Sequence, residues 1–326
     1  MHSSTSASDP RRATRAILLL LAGVVAWFAL LEVGMRLALP RLSETQRRME
    51  ADAAAAFRLG PLAADGAHTV LIIGNSLLEQ GIRRQQLQDA LSPAYAVAYY
   101  PIEDTTYLDW LYGLRRLFAD GSRPDTVVLC MSGRQLLSNS TYGEIFARRL
   151  LQPGDLPRLV HDARLDMMTA SAYLFATKSA WLGNRSFLRL GLLQKWLPRS
   201  DLLAAHLTGV DPLPLVVNEE TLARAMSRLA ALQALAREHG VRFVYLVPPS
   251  LNRADIGAAL AERARSSGIP VLLTYAPAEM PRQNFADGLH LNPTGAAEFT
   301  ARVGPALREV LKAAAAPGMT PPAAAH

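Results

Sequence analysis

A serine hydroxyl attacks an acyl carbon only when a base takes its proton, and that base is most often a histidine steadied by a carboxylate. Three residues of this 326-residue chain have the types for such chemistry. Ser76 lies in "LIIGNSLLEQGI", where an apolar run ends in Gly74-Asn75-Ser76 and a helical pattern begins. His290 lies in "NFADGLHLNPTGAAEF", and Asp287, three residues earlier, is close enough to orient its imidazole and stabilise the charged form. On its own, Ser76 is equally a small residue where a buried strand turns into a helix. The other histidines offer it no base: His2 and His326 lie in tails, His68 precedes the apolar run and His239 ends a helical pattern. His161 and His206 fall in a leucine- and arginine-rich stretch where packing or surface roles are expected.

The elements that must position these residues are legible as short apolar runs alternating with helical patterns, the signature of a parallel α/β sheet. Strands are expected at 70–73, 95–99, 126–131, 242–247 and 271–274, apolar on both faces as in a sheet covered on each side. Helices are expected at 83–91, 105–119, 219–239, 252–267 and 293–313, the third capped by Asn218 and stopped at Gly240. The fold class expected is α/β, a flavodoxin-like three-layer sandwich with a five-stranded parallel sheet. In such a sheet, sites form at the carboxyl ends of the strands. Ser76 follows the first strand and His290 the fifth, so both fall at that edge. A tight turn at 74–76 puts the Ser76 N–H at a helix start, where it can hold an oxyanion.

The remaining sequence sets the surroundings. Half of the residues are hydrophobic, and the net charge is +6 with a pI near 9.7. The arginines are dispersed without the aromatic-interleaved basic stripe of a nucleic-acid binder, so a basic surface facing anionic lipid or polymer is the expectation. Cys130 is the single cysteine, which rules out an internal disulfide and reads as a small buried strand residue. No metal or cofactor is expected. "GNSLLEQG" is neither a Walker loop nor a dinucleotide fingerprint.

Residues 16–31 carry no charge, and 16–39 are long enough to cross a bilayer; without a small-x-small cleavage site close behind, an uncleaved anchor is expected over a signal peptide. Glu32 and Arg36 are spaced to pair near its far end. The positive-inside rule barely discriminates, since Arg11, Arg12 and Arg15 are balanced by Arg36, Arg41, Arg47 and Arg48. The organisation expected is a cytoplasmic tail at 1–15, the anchor at 16–39, a helical stalk at 40–66, the α/β domain at 67–312 and a disordered tail at 313–326. An insertion at about 138–217, helical and interrupted by prolines, is expected to cap one end of the sheet.

Gly74-Asn75-Ser76 after the first strand and Asp287-Gly288-Leu289-His290 before the last helix, in that order, resemble the two motifs of the SGNH (GDSL-type) hydrolase superfamily. The resemblance covers about 67–312 and implies Ser76 as nucleophile, His290 as base and Asp287 as its orienting carboxylate. Two family motifs depart. "YYPIEDTTYLDW" has no glycine after the second strand, and "CMSGRQLL" has Arg134 or Gln135 near the place of the usual asparagine. Backbone N–H groups around Asp104–Thr106, with Thr105 at their centre, are expected to replace the glycine donor. Asn75 and Arg134 are the further candidates for oxyanion or substrate contact. Similar departures among membrane-anchored relatives that modify bacterial surface polymers imply an extracytoplasmic, periplasmic domain on the inner membrane. They imply an acylated glycan or lipid as substrate and a multi-spanning acyltransferase as candidate partner. The alternative is a non-catalytic scaffold of the same shape that binds a polysaccharide or a membrane acyltransferase.

Overall fold

Apolar runs become strands here because helices cover both of their faces. The structure, a computed structural model, describes residues 10–196 and 218–315. Parts of both expected tails, and 197–217 of the insertion, lie outside the described residues. Strands β1 (His68–Gly74), β2 (Tyr95–Pro101), β3 (Thr126–Cys130), β4 (Arg242–Val247) and β5 (Val271–Leu273) form one parallel sheet in the order β2-β1-β3-β4-β5. Leu71, Ile73, Val127, Leu129 and Tyr245 face one core; Val70, Ile72, Val128, Cys130 and Leu246 face the other. Alternate side chains thus bury on opposite sides of the pleat, which is the three-layer arrangement expected. Gly74 pairs with Pro101 on one side and with Cys130 on the other, so the carboxyl ends of β1, β2 and β3 are level.

The helices, in chain order, are α1 (Pro10–Leu42), α2 (Glu44–Phe57), α3 (Ser76–Gly81), α4 (Arg84–Leu91), α5 (Tyr107–Ala119), α6 (Gly133–Leu137) and α7 (Gly143–Arg149). They continue with α8 (Leu156–Ala163), α9 (Met167–Lys178), α10 (Ala180–Trp196), α11 (Glu219–Glu238), α12 (Gly257–Ser266) and α13 (Pro293–Ala315). The helix expected from residue 252 starts at Gly257. Side-chain oxygens of Asn252 and Asp255 accept the N–H groups of Ala254 and Gly257, and these local turns compete with the helical ladder. The Asn218 cap is present, its Oδ1 accepting from the Thr221 N–H at 2.9 Å.

Two expectations about the surroundings are corrected. The segment at 40–66 is not a free-standing stalk: α2 lies against β2 with Met49 and Ala56 in the core. Its polar side is spoken for as well. Asp52 takes both terminal nitrogens of Arg84 at 2.8 and 2.9 Å, and Arg48 pairs with Glu79 at 2.9 Å and with Glu103. Alanine-rich sequence with alternating charge looks solvated until those distant partners are in view.

The insertion, as far as it is described, does not cap an end of the sheet but packs along the outer side of α5. Tyr112 donates to Asp162, Arg115 pairs with Asp155 and Arg116 donates to the Arg148 carbonyl. Gly113 makes room for Leu150, whose Cδ2 lies 3.0 Å from where a Cβ would stand.

Helix α1 includes a stretch, Arg11–Leu39, long and apolar enough to cross a membrane, its most apolar 18 residues having a mean hydropathy of 2.5. Glu32 and Arg36 pair at 2.7 Å as expected, but Glu32 does more. Its carboxylate accepts from the Ser179 hydroxyl and from the Ala180 and Trp181 amides at 2.8, 2.8 and 3.1 Å, capping the start of α10.

Candidate active site

The nucleophile turn is built from one glycine and one buried amide. A Cβ on Gly74 would stand 2.3 Å from the Cys130 carbonyl oxygen, so only glycine lets β1 pass β3 this closely before turning. Asn75 follows, fully buried; its Oδ1 accepts from the Leu77 N–H at 3.1 Å and caps α3, which begins at Ser76. The Asn75 Nδ2 donates to the Thr105 carbonyl at 3.0 Å, tying the turn after β1 to the loop after β2. The Asn75 side chain thus holds Ser76 at the start of α3 and ties the two loops together.

The base arrives from the other end of the chain. Helix α13 packs on α3 and α4, with Phe299 against Gly81 and the Thr300 hydroxyl accepting from the Arg83 amide at 2.9 Å. Asn292 fixes the loop before α13: its Oδ1 accepts from the Thr294 and Gly295 amides, and its Nδ2 donates to the Gln283 carbonyl. Within that loop Gly288 takes a left-handed φ of 88°, turning the chain so that the amides of Leu289 and His290 point back at Asp287 Oδ1, 3.0 and 2.8 Å away.

The three side chains meet in line. His290 Nδ1 lies 2.8 Å from Asp287 Oδ2, and His290 Nε2 lies 2.9 Å from Ser76 Oγ. A carboxylate only accepts, so Nδ1 carries the proton and Nε2 presents its lone pair to the serine hydroxyl. Partial burial pushes the Asp287 carboxyl up, but the His290 amide and imidazole and the Leu289 amide outweigh it and hold the group at about 2. Asp287 is thus anionic whenever His290 works as a base, although its side chain is 56 % exposed.

Thr105 and Arg134 fare differently. The Thr105 side chain is fully buried: its hydroxyl donates to the Ile102 carbonyl at 2.6 Å and accepts from the Trp110 indole at 2.9 Å. What Thr105 offers is its backbone N–H, which, like that of Ser76, has no hydrogen-bond acceptor among the described residues. The Thr106 N–H is taken by Asp109 at 2.7 Å. Asp104, at a left-handed φ of 57°, makes the turn that presents Thr105 beside β1. Arg134 lies in the first turn of α6 beyond β3, and no hydrogen bond or ion pair joins it to Ser76 or His290 among the described residues. Its neighbour Gln135 is consumed in a capping box with Ser132.

Sequence reasoning missed Asp109 and Trp110, which shape the loop carrying Thr105. The first of these had a visible signal, since Thr106 with Asp109 three residues on is a capping-box pattern. Buried Cys130 has its thiol pushed up to about 12 by desolvation, in keeping with an inert packing residue.

No protein-family model matches the chain, and no curated protein matches it. Among solved structures it is similar to a protein from Bacteroides fragilis described as an acylhydrolase, at 13% identity and a TM-score of 0.40, covering 82% of this chain and 97% of that one. It is also similar to TesA, at 14% identity and a TM-score of 0.36 over 74% of this chain and 99% of that one. A third is the acetyl xylan esterase Est2A from the rumen bacterium Butyrivibrio proteoclasticus, at 10% identity and a TM-score of 0.36 over 75% of this chain and 64% of that one. The parallel sheet brings the Gly-Asn-Ser turn after β1 and the Asp-x-x-His loop before α13 to one edge.

Proposed function

We propose that this chain is a serine esterase or O-acyltransferase held by α1 in the inner membrane, with its α/β domain on the periplasmic side, acting on an acylated glycan or lipid of the cell envelope. The observation that carries the proposal is the unbroken line from Ser76 Oγ through the His290 ring to the Asp287 carboxylate, with both hydrogen bonds under 3 Å.

In this mechanism Ser76 Oγ attacks the acyl carbon as its proton passes to His290 Nε2. The imidazolium is stabilised by Asp287. The carbonyl oxygen becomes an oxyanion between the Ser76 and Thr105 amides, donors that need no reorganisation as charge develops. His290 then returns the proton to the leaving alcohol, and an acyl group remains on Ser76. Water or an acceptor hydroxyl, deprotonated by the same histidine, removes it. Hydrolysis and transfer share every protein group and differ in what enters second. A multi-spanning acyltransferase that exports acyl groups fits as the supplier in the transfer case.

The test uses the full chain in detergent with a fluorophosphonate probe and an activated acetyl ester. Covalent labelling that disappears in Ser76→Ala, together with loss of ester hydrolysis, is expected. No labelling of the folded wild-type chain overturns the mechanism in favour of a scaffold that binds a polysaccharide or membrane acyltransferase.

A further inference from the structure

On the sheet face away from α13, a cleft of about 290 Å³ lies where α1, α2, α5, α7 and α10 meet over Tyr100. Its polar lining is Arg36, Arg116, Arg148, Arg149, Tyr100 and Asn184, with Glu50 as the one acidic residue. Arg36 is matched by Glu32, and Arg116 lies 3.5 Å from Asp120. Arg148 and Arg149 form no ion pair among the described residues; they donate only to the Thr177 carbonyl at 3.3 Å and to Gln46 Oε1 at 2.5 Å. Burial and the neighbouring arginines Arg36, Arg149 and Arg116 press the Arg148 guanidinium below its usual range, against a smaller opposing pull from Glu32.

Unused hydrogen-bonding capacity collects in the same place. Arg149 Nε is buried without an acceptor, and the wholly buried Tyr100 hydroxyl stands beside that guanidinium without an aligned hydrogen bond. Asn184, 6 % exposed, donates to the Ala180 carbonyl but leaves its Oδ1 unfilled. Buried polar atoms in native proteins are overwhelmingly satisfied, and adjacent cations without anions are costly. A ligand that matched these atoms would be anionic, would accept several hydrogen bonds and would also carry a donor for Asn184.

We propose that this cleft binds the phosphate of an anionic lipid headgroup, with Arg148 and Arg149 donating to its oxygens and Asn184 accepting from the headgroup's hydroxyl. The inference rests on α1 spanning a membrane. Met35, Arg36 and Leu39, at the far end of the 16–39 segment, form one wall of the cleft, so the cleft stands at headgroup level. Arginine matches phosphate geometry, and the phosphate available at that level is that of a lipid headgroup. The cleft lies at the small end of ligand-site volumes, suited to a headgroup rather than to an acyl chain.

The experiment takes the full-length chain from membranes and follows bound phosphatidylglycerol, phosphatidylcholine and inorganic phosphate by native mass spectrometry. Carbonate extraction and intact mass are measured on the same preparation. Selective retention of phosphatidylglycerol is expected, weakened about tenfold in Arg148→Gln and in Arg149→Gln by loss of a charge-assisted hydrogen bond. Without lipid, the same variants are expected to melt no lower than wild type, because each relieves repulsion; Tyr100→Phe supplies a change of binding at constant charge. Equal retention of both lipids, or retention unchanged by the arginine variants, in an intact membrane-embedded chain overturns the headgroup site alone. Retention of inorganic phosphate in preference to lipid assigns the cleft to a soluble anion and overturns the lipid source. A shortened chain that leaves the membrane on extraction overturns both the anchor and the site.

Discussion

The two faces of the sheet place their charges in opposite ways. On the α13 side, Ser76, His290 and Asp287 are mutually satisfied, and the amides of Ser76 and Thr105 have no acceptor among the described residues. On the α2 side, Arg148 and Arg149 converge on a cleft whose one acidic lining residue, Glu50, pairs with neither of them among the described residues, beside buried polar atoms that lack partners. Under the two proposals, one face waits for a substrate to develop charge and the other takes up an anion. Preorganisation for a transition state and affinity for a ground-state ligand leave different marks, and the two proposals place them on opposite sides of one sheet.

The largest effect that separates the two faces is expected at the nucleophile. Ser76→Ala lowers kcat for an activated ester by about 10,000-fold or more, with the melting temperature and lipid retention unchanged. Asp287→Asn follows at roughly 1,000-fold, since the exposed carboxylate is partly replaceable by water but the asparagine favours the wrong tautomer. Equal kcat in either variant would move the chemistry away from this line of residues.

Gly74→Ala probes the strand edge between the faces. Its Cβ would meet the Cys130 carbonyl at 2.3 Å, and a loss of about 2–3 kcal/mol is expected in chemical denaturation, together with weaker labelling of Ser76. Glu32→Gln acts only on the far side: weakening the cap of α10 costs about 1 kcal/mol and speeds proteolysis within α9 and α10, leaving kcat alone.

The smallest effect is a pH dependence. The folded-state pKa of Asp287 is about 2, below the ordinary carboxylate value near 3.9, so its stabilisation is present above pH ~4 and disappears as pH falls through about 2. The difference in melting temperature between wild type and Asp287→Asn should narrow over that interval; a constant difference would mean that the carboxylate adds no charge-dependent stability.

How much of this was legible depended on the range of the interaction. Strands sealed on both faces announce themselves as apolar runs, and β4 falls at Arg242–Val247 as the pattern indicates. Asp287 and His290 are readable because three residues of local chain bring them together, and Ser76 because a parallel sheet sends its loops to one edge. The roles of Asn75 and Thr105 were not readable, since residue type does not reveal that both side chains are consumed within the fold. Nor were the partners of α2, or the bond from Arg149 to Gln46, which spans 103 positions. Arginines that look dispersed along the chain converge only once α7, α5 and the end of α1 are packed together.

The capping of α10 by Glu32 has a mechanical meaning. A domain tethered through a loose linker sweeps a hemisphere above the bilayer, and its site samples many heights. Here the last turns of α1 are fastened to α10 by three hydrogen bonds and continue almost directly into α2, which is itself braced on α3 and α4. Ser76 is thereby held at one altitude and one compass bearing relative to α1, so under the proposed anchoring and activity the geometry of the lever arm, as much as the shape of the site, would select which acyl groups come within reach.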